Sequence, residues 1–191
     1  MNHIRKALVG IVALVAAGQG TAFAQEGGII SELRAGIVDH DMYRGFIPSD
    51  FNNWYLNGIE DLSFEVLFTT PDLDVFRWIG SPRPHLGTTL NFDGRESMVH
   101  LGLTWQLPIF DTPFYLEGTF GAALHNGALN NPPPRMYAQG CRVNFYENAG
   151  VGGRFGEHLT ATIYYEHMSN AGICAENGGL SNFGLKVGWR F

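Results

Sequence analysis

The chain has 191 residues, enough for one domain, with 16% charged and 13% aromatic side chains, 25 glycines and a formal net charge of −6. That balance is too apolar and aromatic for a disordered chain. With no basic run anywhere, it argues against a nucleic-acid partner.

The first segment reads as a processing signal. Arg5 and Lys6 precede an apolar run from Ala7 to Ala17, and Ala22-Phe23-Ala24 forms an A-x-A site before Gln25. This pattern predicts a secretory signal peptide over residues 1–24, since the apolar run is too short to span a bilayer. No cysteine follows the site to carry a lipid anchor. Removal of Arg5 and Lys6 takes the formal charge to −8. The remaining residues, 25–191, contain no apolar run long enough for a transmembrane helix. They are therefore either soluble in an oxidising compartment or cross a membrane as a barrel.

Period two dominates residues 25–191. Ser31–Val38 alternates, with Leu33, Ala35 and Ile37 apolar against Glu32 and Arg34. A polar loop from Asp39 to about Tyr55 comes next. Ile59–Phe68 places Leu62, Phe64, Val66 and Phe68 opposite Asp61, Ser63 and Glu65. Thr69–Pro84 holds three prolines, which do not join a central ladder. His85–Phe92 is the third strand, followed by the hairpin signal Asp93-Gly94. Met98–Leu107 and Phe114–Ala123 alternate across a short turn, Pro108–Pro113. A loop from His125 to Gly140 carries Pro132-Pro133-Pro134. Cys141–Phe155, Leu159–His167 and Asn182–Phe191 complete a set of eight strands.

Strands of about 9–11 residues, even in number, with mostly long polar loops at one end, are the pattern of an eight-stranded antiparallel transmembrane up-and-down β-barrel. The polar face holds Glu32, Arg34, Asp61, Glu65, Glu117, Glu166, Lys186 and Arg190, a mixture of signs that can pair inside a narrow lumen. A soluble barrel for small ligands would invert this arrangement. Glu147 breaks the pattern, because it falls on the apolar parity of the sixth strand, where charge is costly. A bulge or inward turn is predicted there.

His167 and Ser169 share one parity at the outer end of the seventh strand, the parity of Leu159, Ile163 and Tyr165. A base and a hydroxyl two residues apart on a lipid-facing surface are the minimum for an activated nucleophile. The bland alternative is two rim residues touching headgroups. The surrounding residues, His167-Met168-Ser169-Asn170-Ala171-Gly172, then Asn177-x-Gly179, Gly184-Leu185 and the terminal Phe191, resemble the lipid A 3-O-deacylase (PagL) family, also called acyloxyacyl hydrolases. The terminal aromatic also resembles the C-terminal signature of bacterial outer-membrane proteins.

The resemblance implies an outer-membrane serine esterase that removes the ester-linked 3-hydroxyacyl chain at position 3 of lipid A in the outer leaflet. It further implies that Ser169 is the nucleophile, that His167 is the general base, and that a glutamate completes the triad. The Asn170, Ala171 and Gly172 backbone, with Asn177, is where an oxyanion hole is expected. No cofactor or metal is implied, and the His, Asp and Glu residues show no ligand spacing.

The family's glutamate falls at position 181, and this chain has Ser181. Glu176 in the same loop is preferred as a substitute acid over Glu147 on the sixth strand, and Ser181 itself is the uncharged option. A non-catalytic structural or adhesion barrel that has lost the triad acid is the alternative function. Cys141 and Cys174 both lie on the outer side, and a pair of cysteines in a secreted chain predicts a disulfide. The implied partner is lipid A or lipopolysaccharide in the membrane, with no nucleic acid, and with a monomer or homodimer as the assembly.

Overall fold

Period-two alternation becomes eight antiparallel strands in a computed structural model that describes residues 28–43, 48, 51–56 and 58–191. The signal peptide predicted over residues 1–24 lies outside the described residues. The strands are β1 Ile30–Asp39, β2 Ile59–Phe68, β3 Arg83–Asn91, β4 Met98–Pro108, β5 Phe114–His125, β6 Val143–Phe155, β7 Leu159–Ser169 and β8 Leu180–Arg190. Each pairs with its sequence neighbour, and β1 pairs with β8 to close the barrel. Closure leaves no sheet edge unpaired, which a strand in lipid requires.

The fold is polar inside and apolar outside. Along β7, Ile163 is 54% exposed while its neighbour Tyr164 is 2% exposed. Leu33, Leu62, Phe64, Leu101, Phe120, Val151 and Leu185 continue the exposed apolar belt. A water-soluble barrel would bury these residues, so the belt identifies a membrane-spanning barrel. No helix among the described residues is long and apolar enough to cross a membrane; the strands do so.

The lumen is held by charge. Arg34 donates from Nε to Glu32 at 2.8 Å, from Nη2 to Glu117 at 2.8 Å and from Nη1 to Glu65 at 3.3 Å. Lys186 reaches Glu65 and Glu117, each at 3.1 Å, and Arg83 reaches Glu32 at 2.8 Å. Three cations thus face three carboxylates. Higher in the barrel, Glu166 accepts hydrogen bonds from Tyr146, Thr89 and Asn182. His85 and His100 share a hydrogen bond at 3.0 Å, and the His100 ring stacks on Tyr146. Gly87 makes room for that ring, because a Cβ there would run into the His100 imidazole.

Two expectations are corrected. Glu147 sits in unbroken register between Phe120 on β5 and His167 on β7, with neither a bulge nor an inward turn. It stays on the outer face, half-buried. Pro84, expected in a connection, lies in β3. It pairs with Leu103 of β4 at the end of the ladder, beyond the last β2–β3 pair, so its missing N–H is not needed there. The 69–82 connection also contains a short helix, α1 (Asp74–Trp78), anchored where the Trp105 indole donates to the Ile79 carbonyl at 2.7 Å. The connections at 40–58, 126–142 and 170–179 are long and lie at one end, which by the habit of such barrels is the outer end.

Candidate active site

β7 runs two residues past its predicted end, so His167 and Ser169 are both strand residues on the outer face. Strand pairing puts His167 at the centre of a rung. Ser181 of β8 lies on one side and Glu147 of β6 on the other. His167 Nδ1 and Ser181 Oγ are hydrogen-bonded at 2.8 Å. The Tyr165 hydroxyl, one rung below, also bonds Ser181. Ser169 stands one rung above His167, opposite Phe145, and is half-buried. His167, expected to face lipid openly, has the outward parity. Only 6% of its surface is exposed, however, because Ser181 and the Gly179 backbone lie against it.

The loop after β7 is organised by Asn170. Its backbone N–H donates to Asn177 Oδ1 at 2.9 Å. Its Oδ1 accepts from the Gly172 amide at 2.9 Å, and its Nδ2 donates to the carbonyls of Gln139 and Glu176 at 2.8 and 2.6 Å. Ala171 and Gly172 turn the chain through positive φ, 53° and 78°. The amides of Asn170 and Gly172, expected to serve an oxyanion, are therefore engaged within the turn. The Ala171 amide is the one in that turn with no such bond among the described residues. Glu176 is exposed and enters the loop through its backbone carbonyl.

This loop is stitched to the 126–142 loop. Gln139 Nε2 donates to Gly179 O at 3.1 Å, and the Gly178 amide donates to Ala138 O at 2.7 Å. Cys141 and Cys174 form the predicted disulfide. Gly140 has φ +73°, and a Cβ on it would strike the Glu176 carbonyl, so only glycine fits the crossing.

A model of the lipid A 3-O-deacylase (PagL) family matches residues 63–190, more than half of the chain. The chain belongs to this family. No curated protein matches it by sequence comparison. Among solved structures, the outer membrane enzyme PagL is similar, with 13% identity, 84% of this chain and 100% of that chain covered and a TM-score of 0.56. The N-terminal β-barrel domain of Pseudomonas aeruginosa OprF gives 12% identity, 87% and 100% coverage and a TM-score of 0.54. Neisserial surface protein A gives 8% identity, 86% and 98% coverage and a TM-score of 0.51. At these identities the structures speak for the barrel fold.

The β8 partner of His167 across the ladder is Ser181. Among the described residues no cluster of His, Cys, Asp or Glu has the spacing to hold a metal ion. Two contributors to the site escape a reading of the sequence. Tyr165 reads as belt rather than as a partner of Ser181. The segment after β1 reads as a plain polar loop, whereas it continues along β8. The Met42 amide donates to Ser181 O at 2.8 Å, and Trp54 packs on Phe183 with ring centroids 5.9 Å apart. Only the pairing register reveals either.

The base of that loop is fixed by His40, which is fully buried between Asp61 (2.8 Å) and Glu96 (3.4 Å). Burial pulls the His40 imidazole down, but the hydrogen bonds to Asp61 and Glu96, with the Asp61 charge, outweigh it and hold the pKa up at about 9, against opposition from Arg95. A group raised on folding stabilises fully below its unfolded value, near 6.5, and loses that contribution as pH rises through the folded value. Thermal unfolding in detergent is therefore expected to shift to lower temperature between roughly pH 6.5 and pH 9. The same scan of His40→Gln should be flat over that window.

Proposed function

We propose that the protein is an outer-membrane serine esterase that removes the 3-hydroxyacyl chain ester-linked at position 3 of lipid A. The observation that carries this reading is the placement of His167 and Ser169 on the outside of the barrel, at its long-loop end, with the His167 ring held by Ser181. A lipid substrate approaches from the bilayer, so the reacting groups must face it rather than the lumen.

Ser181 accepts the Nδ1 hydrogen of His167, which makes Nε2 the basic nitrogen of the ring and, in this reading, the base for Ser169. Ser169 Oγ attacks the ester carbonyl carbon while Nε2 takes its proton. The tetrahedral intermediate collapses with cleavage of the bond to the sugar oxygen, and His167 returns the proton to that oxygen. The acyl group remains on Ser169. Water then attacks the acyl-enzyme, loses a proton to Nε2, and the 3-hydroxy fatty acid leaves as Ser169 regains its hydrogen. The Ala171 amide and the Asn177 side chain are the oxyanion donors in this reading. Asn177 also supports the Asn170 turn.

Mass spectrometry of lipid A from cells with and without the expressed protein tests the proposal. The expected product has lost one 3-hydroxyacyl unit at position 3. An unchanged acyl pattern would leave a non-catalytic barrel, the reading that the missing acid at 181 favours.

The disulfide gives a second test. It closes a separation of 33 residues, worth roughly 2–4 kcal/mol in such a loop, and it ties the Asn170 turn to the 126–142 loop. Cys141→Ser/Cys174→Ser is expected to lower kcat on the order of tenfold. The Gln139, Gly178 and Asn170 hydrogen bonds still align the loops, which keeps the loss short of the 10²-fold that an ångström of misplacement produces. Wild type assayed with and without a reductant should show the same loss.

A further inference from the structure

Ser181 fixes the His167 ring but brings no charge to it. Each time His167 accepts the Ser169 proton the ring becomes a cation, on a face otherwise made of aliphatic and aromatic side chains. A cation placed there without an anion is costly. The acid on the same rung is Glu147, the direct cross-strand neighbour of His167 on the side away from Ser181. Directly opposed residues hold their Cβ atoms about 4.5–5.5 Å apart.

Glu147 also differs from the other acids of the barrel. Glu32, Glu65, Glu117 and Glu166 have their oxygens engaged by Arg34, Lys186, Tyr146 and their neighbours. Glu147 Oε2 is buried with no hydrogen-bond partner among the described residues. Among the described residues, the remaining titratable groups around His167 are Tyr165 on its own strand, with Tyr43 and Asp41 of the loop after β1 close to Tyr165. Asp41 is already paired with Arg95 at 3.2 Å. That leaves Glu147 as the acid on the rung of His167 without a cation of its own.

We propose that Glu147 is a positioning residue for His167, its carboxylate balancing the imidazolium from β6 in place of the acid that the family pattern puts on β8. The proposal rests on the reading of Ser169 as nucleophile and His167 as base. Glu147 takes no part in the proton transfers among Ser169, His167 and the sugar oxygen; as the anion beside the ring it makes the pair neutral when the ring is cationic. The register makes the exchange of strands geometrically possible, because positions 147 and 181 flank residue 167 on the same face.

The test measures release of 3-hydroxy fatty acid from lipid A in mixed micelles by purified wild type, Ser169→Ala, Glu147→Gln and Glu147→Gln/Ser181→Glu. Glu147→Gln is expected to lower kcat roughly 10²- to 10³-fold, less than the 10⁴-fold loss on altering a protease triad acid, because Ser181 still holds the ring. KM should stay within about threefold, since the interaction forms only as charge develops. Loss of the carboxylate makes the imidazolium less favourable, so the acidic limb of the pH–rate profile should move down by about one unit, the tenfold equivalent in protonation. Adding Ser181→Glu should restore kcat at least about tenfold by returning an anion to the other flank.

If Ser169→Ala is inactive while Glu147→Gln matches wild type in kcat and in its acidic limb, this inference alone is overturned. If Ser169→Ala cleaves like wild type, or wild type releases no acid, the esterase reading falls and this inference with it. A loss in Glu147→Gln that Ser181→Glu does not repair, in a variant that still shows the folded heat-modifiable band, assigns Glu147 a packing role and also overturns it.

Discussion

Arg34→Met is expected to destabilise the barrel by about 3–5 kcal/mol, enough to remove most of the folded band on an unheated gel. Arg34 is buried and touches Glu32, Glu65 and Glu117 at once. With it gone, Lys186 and Arg83 face three carboxylates, and Glu117 loses both of its guanidinium bonds. The penalty is that of leaving a charge buried and unpaired, which exceeds the net worth of the pair itself. Arg34→Met/Glu117→Leu should therefore recover part of the loss, because it removes one anion with the cation. Urea midpoints of the two variants refolded in lipid vesicles would show this. Equal midpoints would mean that the lumen tolerates the extra anion, and would contradict the account of the core.

Ser169→Ala and His167→Ala are each expected to cut deacylation by about 10⁴- to 10⁶-fold. Nucleophile and base act as one unit, so the double variant should be no slower than either single one. That equality is the sharper measurement. If the two residues served separately, as rim contacts to a headgroup, their effects would be modest and would add. Neither substitution should alter the heat-modifiable shift, because both residues lie on the outer face, away from the lumen's ion pairs.

The strands are readable because a barrel wall in lipid must alternate strictly, so the parity of residues such as Leu33, Phe64 and Ile163 marks both the element and its face. What parity omits is the neighbour across the ladder. Parity puts Glu147 correctly on the apolar side, yet the cost of its charge, weighed without His167 beside it, predicts a bulge that does not form. Tyr165 looks like one more aromatic of the belt, paired with Phe183, yet its hydroxyl bonds Ser181 on the next rung.

The amides of Asn170 and Gly172 look available for an oxyanion because a sequence does not show that Asn170 and Asn177 close the turn on themselves, a habit of asparagine in loops. Likewise α1 is too short for periodicity to register, and it lies in a proline-rich connection that gives no sign of an element. Glu176 is preferred as the acid for its nearness in sequence. In the structure Glu176 is exposed, and the carboxylate-bearing residue paired with His167 across the ladder is Glu147 of β6.

In the esterase reading, the ion pairs and stacked rings that fill the lumen also bear on where the second substrate of hydrolysis comes from. With Arg34, Lys186, His100, Tyr115, Tyr146 and Tyr164 occupying the interior, the barrel is a solid post rather than a conduit. Water for clearing the acyl-enzyme cannot rise through it from the periplasm. It must enter sideways from the hydrated headgroup layer, beneath the joined 126–142 and 170–179 loops. Turnover in this reading is thus coupled to the wetness of the leaflet surface: conditions that pack and dry the lipopolysaccharide headgroups should stall the enzyme in its acylated form, with the first product already released.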